Sequence, residues 1–164
     1  MPINTKMAAP QPKYLAAEDL AVWLKVLLPK ANGTASTARI SGEATEPPHS
    51  KVFIVDVRDQ EEINSNGFIR SSVAITSDSF ADDDDADVHV SQLLAMAEGT
   101  ENPGFVFHCA FSQQRGPFCA SRFLSRCSIQ DKQPAVYILQ GGFQNWKSLS
   151  RESELVSNFT MPAT

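Results

Sequence analysis

Apolar positions along this chain follow two periods. Residues 14–28 place Leu15, Leu20, Trp23, Leu24, Leu27 and Leu28 close to a helical stripe, with Glu18 and Asp19 early in the stretch, where acidic side chains suit a helix N-terminus. A core-facing helix is predicted there, stopped by Pro29. Residues 52–57 form instead a short β-branched run, as expected of a strand buried on both faces of a parallel sheet. Further short strands are predicted at residues 73–75, 105–108 and 135–139, and helices at 88–97, 116–126 and 143–149. The polar stretch 58–66 and Gly67 read as a turn, and Gly141-Gly142 as a second turn that uses positive φ. Residues 77–87 contain Asp82-Asp83-Asp84-Asp85 and are expected to be a solvated loop, because adjacent like charges repel and prefer water. That run lacks the glycine and the spaced ligands of a calcium loop. Short buried strands alternating with helices predict an α/β sandwich around a mainly parallel sheet.

Residues 30–50 are rich in Ala, Gly, Ser, Thr and Pro, follow neither period and end in Glu46-Pro47-Pro48, so they are expected to be a flexible surface insertion. At 164 residues the chain is one domain's worth. The expected organisation is a tail at 1–13, a body at 14–150 carrying the insertion, and a tail at 151–164. Apolar residues at 42% and charged residues at 20% fit a globular protein. A net charge of −5 argues against a nucleic-acid partner, which needs a basic patch. No apolar stretch approaches a membrane span, so no membrane partner is expected. The first thirteen residues, with Pro2, Pro10 and Pro12 and no arginine, suit neither a secretory signal nor a transit peptide, and the expected compartment is cytosol or nucleus. Cys109, Cys119 and Cys127 match no metal-ligand pairing, and His49, His89 and His108 are scattered. No disulfide scaffold, metal site or organic cofactor is expected, and the pattern is silent on oligomeric state.

The chemistry concentrates at one place. The strand predicted at 105–108 stops at Cys109, and Arg115 follows six residues later, with Gly116-Pro117 opening a helix. Proline suits a first helical turn, where its missing N–H costs nothing. A strand, a short loop and a helix N-terminus aim several backbone N–H groups and a positive helix end at one point, which favours a thiolate and an oxyanion alike. Cys109 is therefore the expected nucleophile and Arg115 the clamp that forks two oxygens. The amides of Ala110, Phe111, Ser112, Gln113, Gln114 and Arg115 are the expected cradle for a phosphate or arsenate, and a phospho-cysteine intermediate follows.

Four segments, Asp56-Val57-Arg58-Asp59, Gly67 to Ser72, His108 to Pro117 and Leu139 to Trp146, resemble in order and spacing the rhodanese fold. The resemblance covers about residues 14–149, with 30–50 as an extra. It implies a three-layer α/β fold with a mainly parallel five-stranded sheet flanked by helices. Single-domain sulfurtransferases of that fold hold a six-residue loop. The cell-division-cycle dual-specificity phosphatases and the eukaryotic arsenate reductases hold the seven-residue His-Cys-x5-Arg loop found here, and the chain resembles in particular their small fungal and plant phosphatase-like members. The resemblance implies a protein-tyrosine or dual-specificity type phosphatase acting on phosphorylated protein or a small oxyanion. Its alternatives are an arsenate reductase that draws electrons from glutathione or glutaredoxin, a thiosulfate sulfurtransferase, and a module that only binds phosphate groups. The large cell-cycle phosphatases carry a glutamate after the cysteine and often another before the arginine; here those places hold Ala110 and Gln114, so the loop supplies no acid to a leaving group. That departure raises arsenate reduction as the rival.

Other residues are expected to serve the scaffold. Asp56 and Arg58 read as a buried ion pair or loop anchor, and His108 as a structural histidine facing away from Cys109. Asp59, Glu61 and Glu62 are expected to cap and solvate a turn. Cys119 and Cys127 read as helix filler, with a resolving role for Cys119 as the alternative, and Phe111 flanks the opening while Trp146 belongs to the core.

Overall fold

The computed structural model of the chain describes residues 11–27, 48–152 and 160–161. In chain order the elements are β1 (Lys13–Leu15), α1 (Ala17–Leu27), β2 (Val52–Asp56), α2 (Gln60–Asn66), β3 (Phe68–Ile69), β4 (Val73–Ala74), a 3₁₀ turn (Ser77–Phe80), α3 (Asp83–Met96), β5 (Gly104–His108), α4 (Arg115–Ile129), β6 (Ala135–Leu139), α5 (Gly142–Glu152) and β7 (Thr160–Met161). Five strands line up as β1-β6-β5-β2-β4 with every pairing parallel. β5 is the middle strand, with Val55 opposite Phe107 on one side and Phe107 opposite Ile138 on the other.

Alternation along these strands builds two cores. Phe53, Val55, Phe105, Phe107, Val136 and Ile138 pack with Val90 and Leu93 of α3 and Phe123 of α4. Val52, Ile54, Val106 and Leu139 pack on the opposite face with Leu20 and Leu24 of α1 and Phe143 and Trp146 of α5. The result is the expected three layers, and burial of both strand faces explains why β2 and β5 read as continuous apolar runs.

Four local expectations change. The stretch 14–28 is not helical from its start: β1 occupies its first residues and pairs Leu15 with Leu139, and α1 begins only at Ala17. The polar stretch 58–66 is not a turn but helix α2, nucleated by a capping box in which Asp59 and Glu62 satisfy each other's backbone N–H. The aspartate run is not a loop. Asp82 caps α3 and accepts from the N–H groups of Asp84 and Asp85, so the like charges gather where a helix N-terminus favours anions. Arg122 and Arg126 of α4 meet Asp83 and Asp87 across the gap. Finally, Thr160–Met161, inside the expected C-terminal tail, pair antiparallel with Phe68–Ile69. The insertion expected at 30–50 lies outside the described residues except for its end, where His49 is buried and bonds the Tyr137 hydroxyl and the Asn102 carbonyl at 2.8 Å each.

Candidate active site

β5 delivers Cys109 to the carboxyl edge of the sheet at its centre, the place where open parallel sheets hold their sites. The following loop folds back over the sulfur. The backbone N–H of Ser112 donates to Cys109 Sγ at 3.2 Å and that of Gly116 at 3.3 Å. Two amides, one from the middle of the loop and one from the first turn of α4, thus point at one sulfur, an arrangement that suits a thiolate. Ser112 reaches it with φ of +56°, a left-handed conformation that turns the chain inward. Its hydroxyl is buried without a hydrogen-bond partner among the described residues. At Gly116 a Cβ would sit 3.3 Å from that hydroxyl and 3.4 Å from the Cys109 nitrogen, so the tight first turn of α4 favours glycine.

A second helix holds the loop from the other side. The N–H groups of Phe143 and Gln144, at the start of α5, donate to the carbonyls of Cys109 and Ala110 at 2.9 Å each. Gly142 makes this approach possible: its φ is +64°, and a Cβ there would lie 2.6 Å from both carbonyl oxygens. The positive-φ turn read from Gly141-Gly142 is present, and it doubles as the clamp on the loop.

Of the expected cradle residues, Ser112 is buried against the sulfur, Ala110 is half-buried under α5, and Phe111, Gln113 and Gln114 face solvent. Phe111 is 57% exposed at the mouth, while Trp146 lies fully in the core. Arg115 opens α4, half-buried, and its guanidinium is held by a residue expected only to cap a turn. Nη1 and Nη2 donate to Oε1 and Oε2 of Glu62 at 2.6 and 2.9 Å. The hydrogen bond from Arg115 holds the Glu62 carboxyl down at about 2, against the opposing effect of partial burial, and Glu62 in turn raises Arg115. The sequence signal that finds Glu62 is the Asp-x-x-Glu capping box; its partner lies 53 residues away.

The neighbouring charges are structural, as expected. Arg58 forks Asp56 through Nε at 2.9 Å and Nη2 at 2.6 Å, reaches the Gly67 carbonyl at 2.8 Å, and stacks over the Phe143 ring. Burial opposes the Asp56 charge, yet the Arg58 hydrogen bonds and the nearby His108 keep its carboxyl below the usual range. His108 points to the opposite face from Cys109, stacked on Phe143 with Nε2 3.8 Å from Asp56. Burial lowers its pKa, with Asp56 opposing. Cys119 and Cys127 are buried, and burial pushes each thiol up to about 12, which disfavours the resolving role for Cys119.

The chain is 35% identical over 104 residues, 62% of its own length and 73% of the relative's, to a rice protein named arsenate reductase 2.2. It is 33% identical over 118 residues, 69% and 75% of the two lengths, to an Arabidopsis thaliana protein named dual specificity phosphatase Cdc25. The fold superposes with a TM-score of 0.65 on a yeast protein tyrosine phosphatase of the rhodanese family, at 24% identity and covering 90% of this chain and 92% of that one. Residues 41–149 match the model of the rhodanese-like domain, and by that match and these relatives the chain belongs to the rhodanese-like family, in the group that carries both phosphatase and arsenate reductase names.

Proposed function

We propose that this protein is a cysteine-dependent phosphatase acting on phosphate monoesters. The observation that carries the proposal is the loop itself, in which the Ser112 and Gly116 amides converge on Cys109 Sγ and Arg115 follows at the start of α4. The sulfur attacks phosphorus in line with the leaving oxygen; the P–O bond breaks and phospho-Cys109 forms. Water then attacks phosphorus, the P–S bond breaks, and inorganic phosphate leaves with the thiolate restored. Arg115 and the loop amides stabilise the charge on the transferring oxygens.

The loop itself offers the leaving group no proton. Ala110 and Gln114 carry no acid, and Glu62, ionised down to about 2, is an anion at neutral pH. A general acid contributes about 10²–10⁴-fold, so phenols are favoured over alkoxides as leaving groups, and phosphotyrosine-like substrates over phosphoserine.

The same absence supports a second reading. In arsenate reduction, Cys109 displaces an oxygen of arsenate as water; a first glutathione thiol attacks the Cys109 sulfur, the S–As bond breaks and its electron pair leaves with arsenite; a second glutathione thiol then frees Cys109 from the mixed disulfide, giving glutathione disulfide. A 35% identical relative bears the arsenate reductase name. Side-by-side turnover of wild type and Cys109→Ser separates the readings. Cys109-dependent release of phosphate from p-nitrophenyl phosphate, with little arsenate turnover, is the expected result. Glutathione-dependent arsenate turnover alone would make the protein a reductase, thiocyanate from thiosulfate and cyanide a sulfurtransferase, and inactivity on all three a phosphate-binding module.

A further inference from the structure

An arginine that must fork an oxyanion has a long side chain to aim, and here another element aims it. Glu62 takes both terminal nitrogens of Arg115 at 2.6 and 2.9 Å. Glu62 is itself anchored by the capping box of α2: its backbone N–H donates to Asp59 Oδ1 at 2.8 Å, and its Oε1 accepts from the Asp59 N–H at 3.0 Å. A carboxylate tied to a helix N-terminus is a fixed post, and the guanidinium follows it. Arginine carries five N–H donors. Glu62 uses one from each terminal nitrogen, and among the described residues no acceptor takes the others, Nε included.

We propose that Glu62 is the positioning residue of the oxyanion site, holding Arg115 by its terminal nitrogens so that the guanidinium's remaining edge is presented to the oxyanion bound above Cys109. The proposal rests on the oxyanion chemistry assigned to Cys109, and it names what that chemistry requires outside the loop. Glu62 weakens the local positive charge, a cost offset by preorganisation, because the donors need not be collected from a swinging side chain when the substrate arrives. The contrary arrangement, in which Glu62 competes with the substrate, would require two charge-assisted hydrogen bonds to break in every turnover.

Alkylation of Cys109 tests this without any assumption about turnover. Iodoacetate carries a carboxylate that Arg115 can fork, and neutral iodoacetamide reports access and thiolate content alone, so the ratio of their rates at Cys109, followed by peptide mass spectrometry, reads oxyanion recognition. Glu62→Ala is expected to lower that ratio about ten- to a hundredfold. Glu62→Gln, which can keep the capping box, falls between it and wild type. In an Arg115→Ala background Glu62→Ala has no further effect, because the residue acts through the arginine. A ratio that is unchanged or raised in Glu62→Ala would overturn the proposal, as would a wild-type ratio that Arg115→Ala leaves unmoved. A Glu62 effect that persists without Arg115 would also overturn it and reduce Glu62 to a helix cap. Turnover of p-nitrophenyl phosphate by the same variants is read separately: a wild type that alkylates as expected but releases no phosphate would sink the phosphatase reading and leave the positioning role standing.

Discussion

Gly142→Ala adds one methyl group where α5 presses on the active loop. Its Cβ would lie 2.6 Å from the carbonyl oxygens of Cys109 and Ala110 and 2.8 Å from the Ala110 carbonyl carbon, where ordinary contact begins at 3.4 Å. Those are backbone atoms, so no side chain can swing away; the loop or the helix must give by about 0.8 Å. Overpacking of this kind costs about 1–3 kcal/mol, and a non-glycine residue held at φ of +64° adds about 1–2 kcal/mol. At about 2–4 °C per kcal/mol for a chain of this size, the melting temperature should fall by about 4–20 °C. The displaced atoms include the carbonyl of the nucleophile itself, and a shift near 1 Å can cost about 100-fold in rate. Melting is followed by circular dichroism and kcat/KM with p-nitrophenyl phosphate, while alkylation of Cys109 by iodoacetamide reads loop geometry independently of turnover. Gly141→Ala is the comparison: its φ is +79° and its Cβ meets Asn145 at 2.5 Å, within α5 and away from the loop carbonyls. It should lose stability but keep most of its kcat/KM. Wild-type turnover and alkylation in Gly142→Ala, or equal losses of turnover in the two variants, would refute the clamp.

Arg58→Met removes one partner of a buried ion pair and should destabilise the fold by about 3–5 kcal/mol in chemical denaturation. It also leaves Asp56 facing His108 alone, so the His108 titration followed by NMR should move up from its lowered position. Glu62 has its pKa depressed in the folded state, so the stability it contributes is present above the ordinary glutamate value of about 4.3 and is lost as pH falls towards about 2. Its carboxylate should therefore remain ionised at pH 4 by ¹³C NMR, and Arg115→Ala should return it to the ordinary range. Iodoacetamide at neutral pH should label Cys109 in the native protein and spare Cys119 and Cys127, whose thiols burial holds at about 12; prompt labelling of Cys119 would reopen the resolving role.

The parts of this architecture that are local in sequence were legible there. β2, β5 and β6 are buried on both faces or nearly so, and their continuous apolar runs announce them. Cys109, Ser112 and Arg115 lie within seven residues of one another, so the candidate nucleophile and the candidate clamp are neighbours in the sequence itself. What escaped was set by tertiary contacts or by polar signals. β1 has three residues, of which only Leu15 is buried, and exists because β6 offers an edge. α2 buries only Ile63 and is held by a capping box rather than an apolar stripe. The aspartate run looked like a solvated loop because its repulsion is visible in sequence, whereas the helix end and the arginines of α4 that offset it are not. The pairing of Glu62 with Arg115 and the docking of α5 on the loop carbonyls join distant segments and leave no periodic trace.

Covalent capture of the intermediate tests the phosphatase chemistry most directly. The protein is mixed with p-nitrophenyl phosphate, quenched in acid within a single turnover, digested and mapped by mass spectrometry. A phosphoryl group on the peptide carrying Cys109, formed at the rate of nitrophenol release and missing in Cys109→Ser, is the expected outcome. Nitrophenol release that survives Cys109→Ser, or a phosphoryl group found on any other side chain, would contradict the assignment of Cys109 as nucleophile.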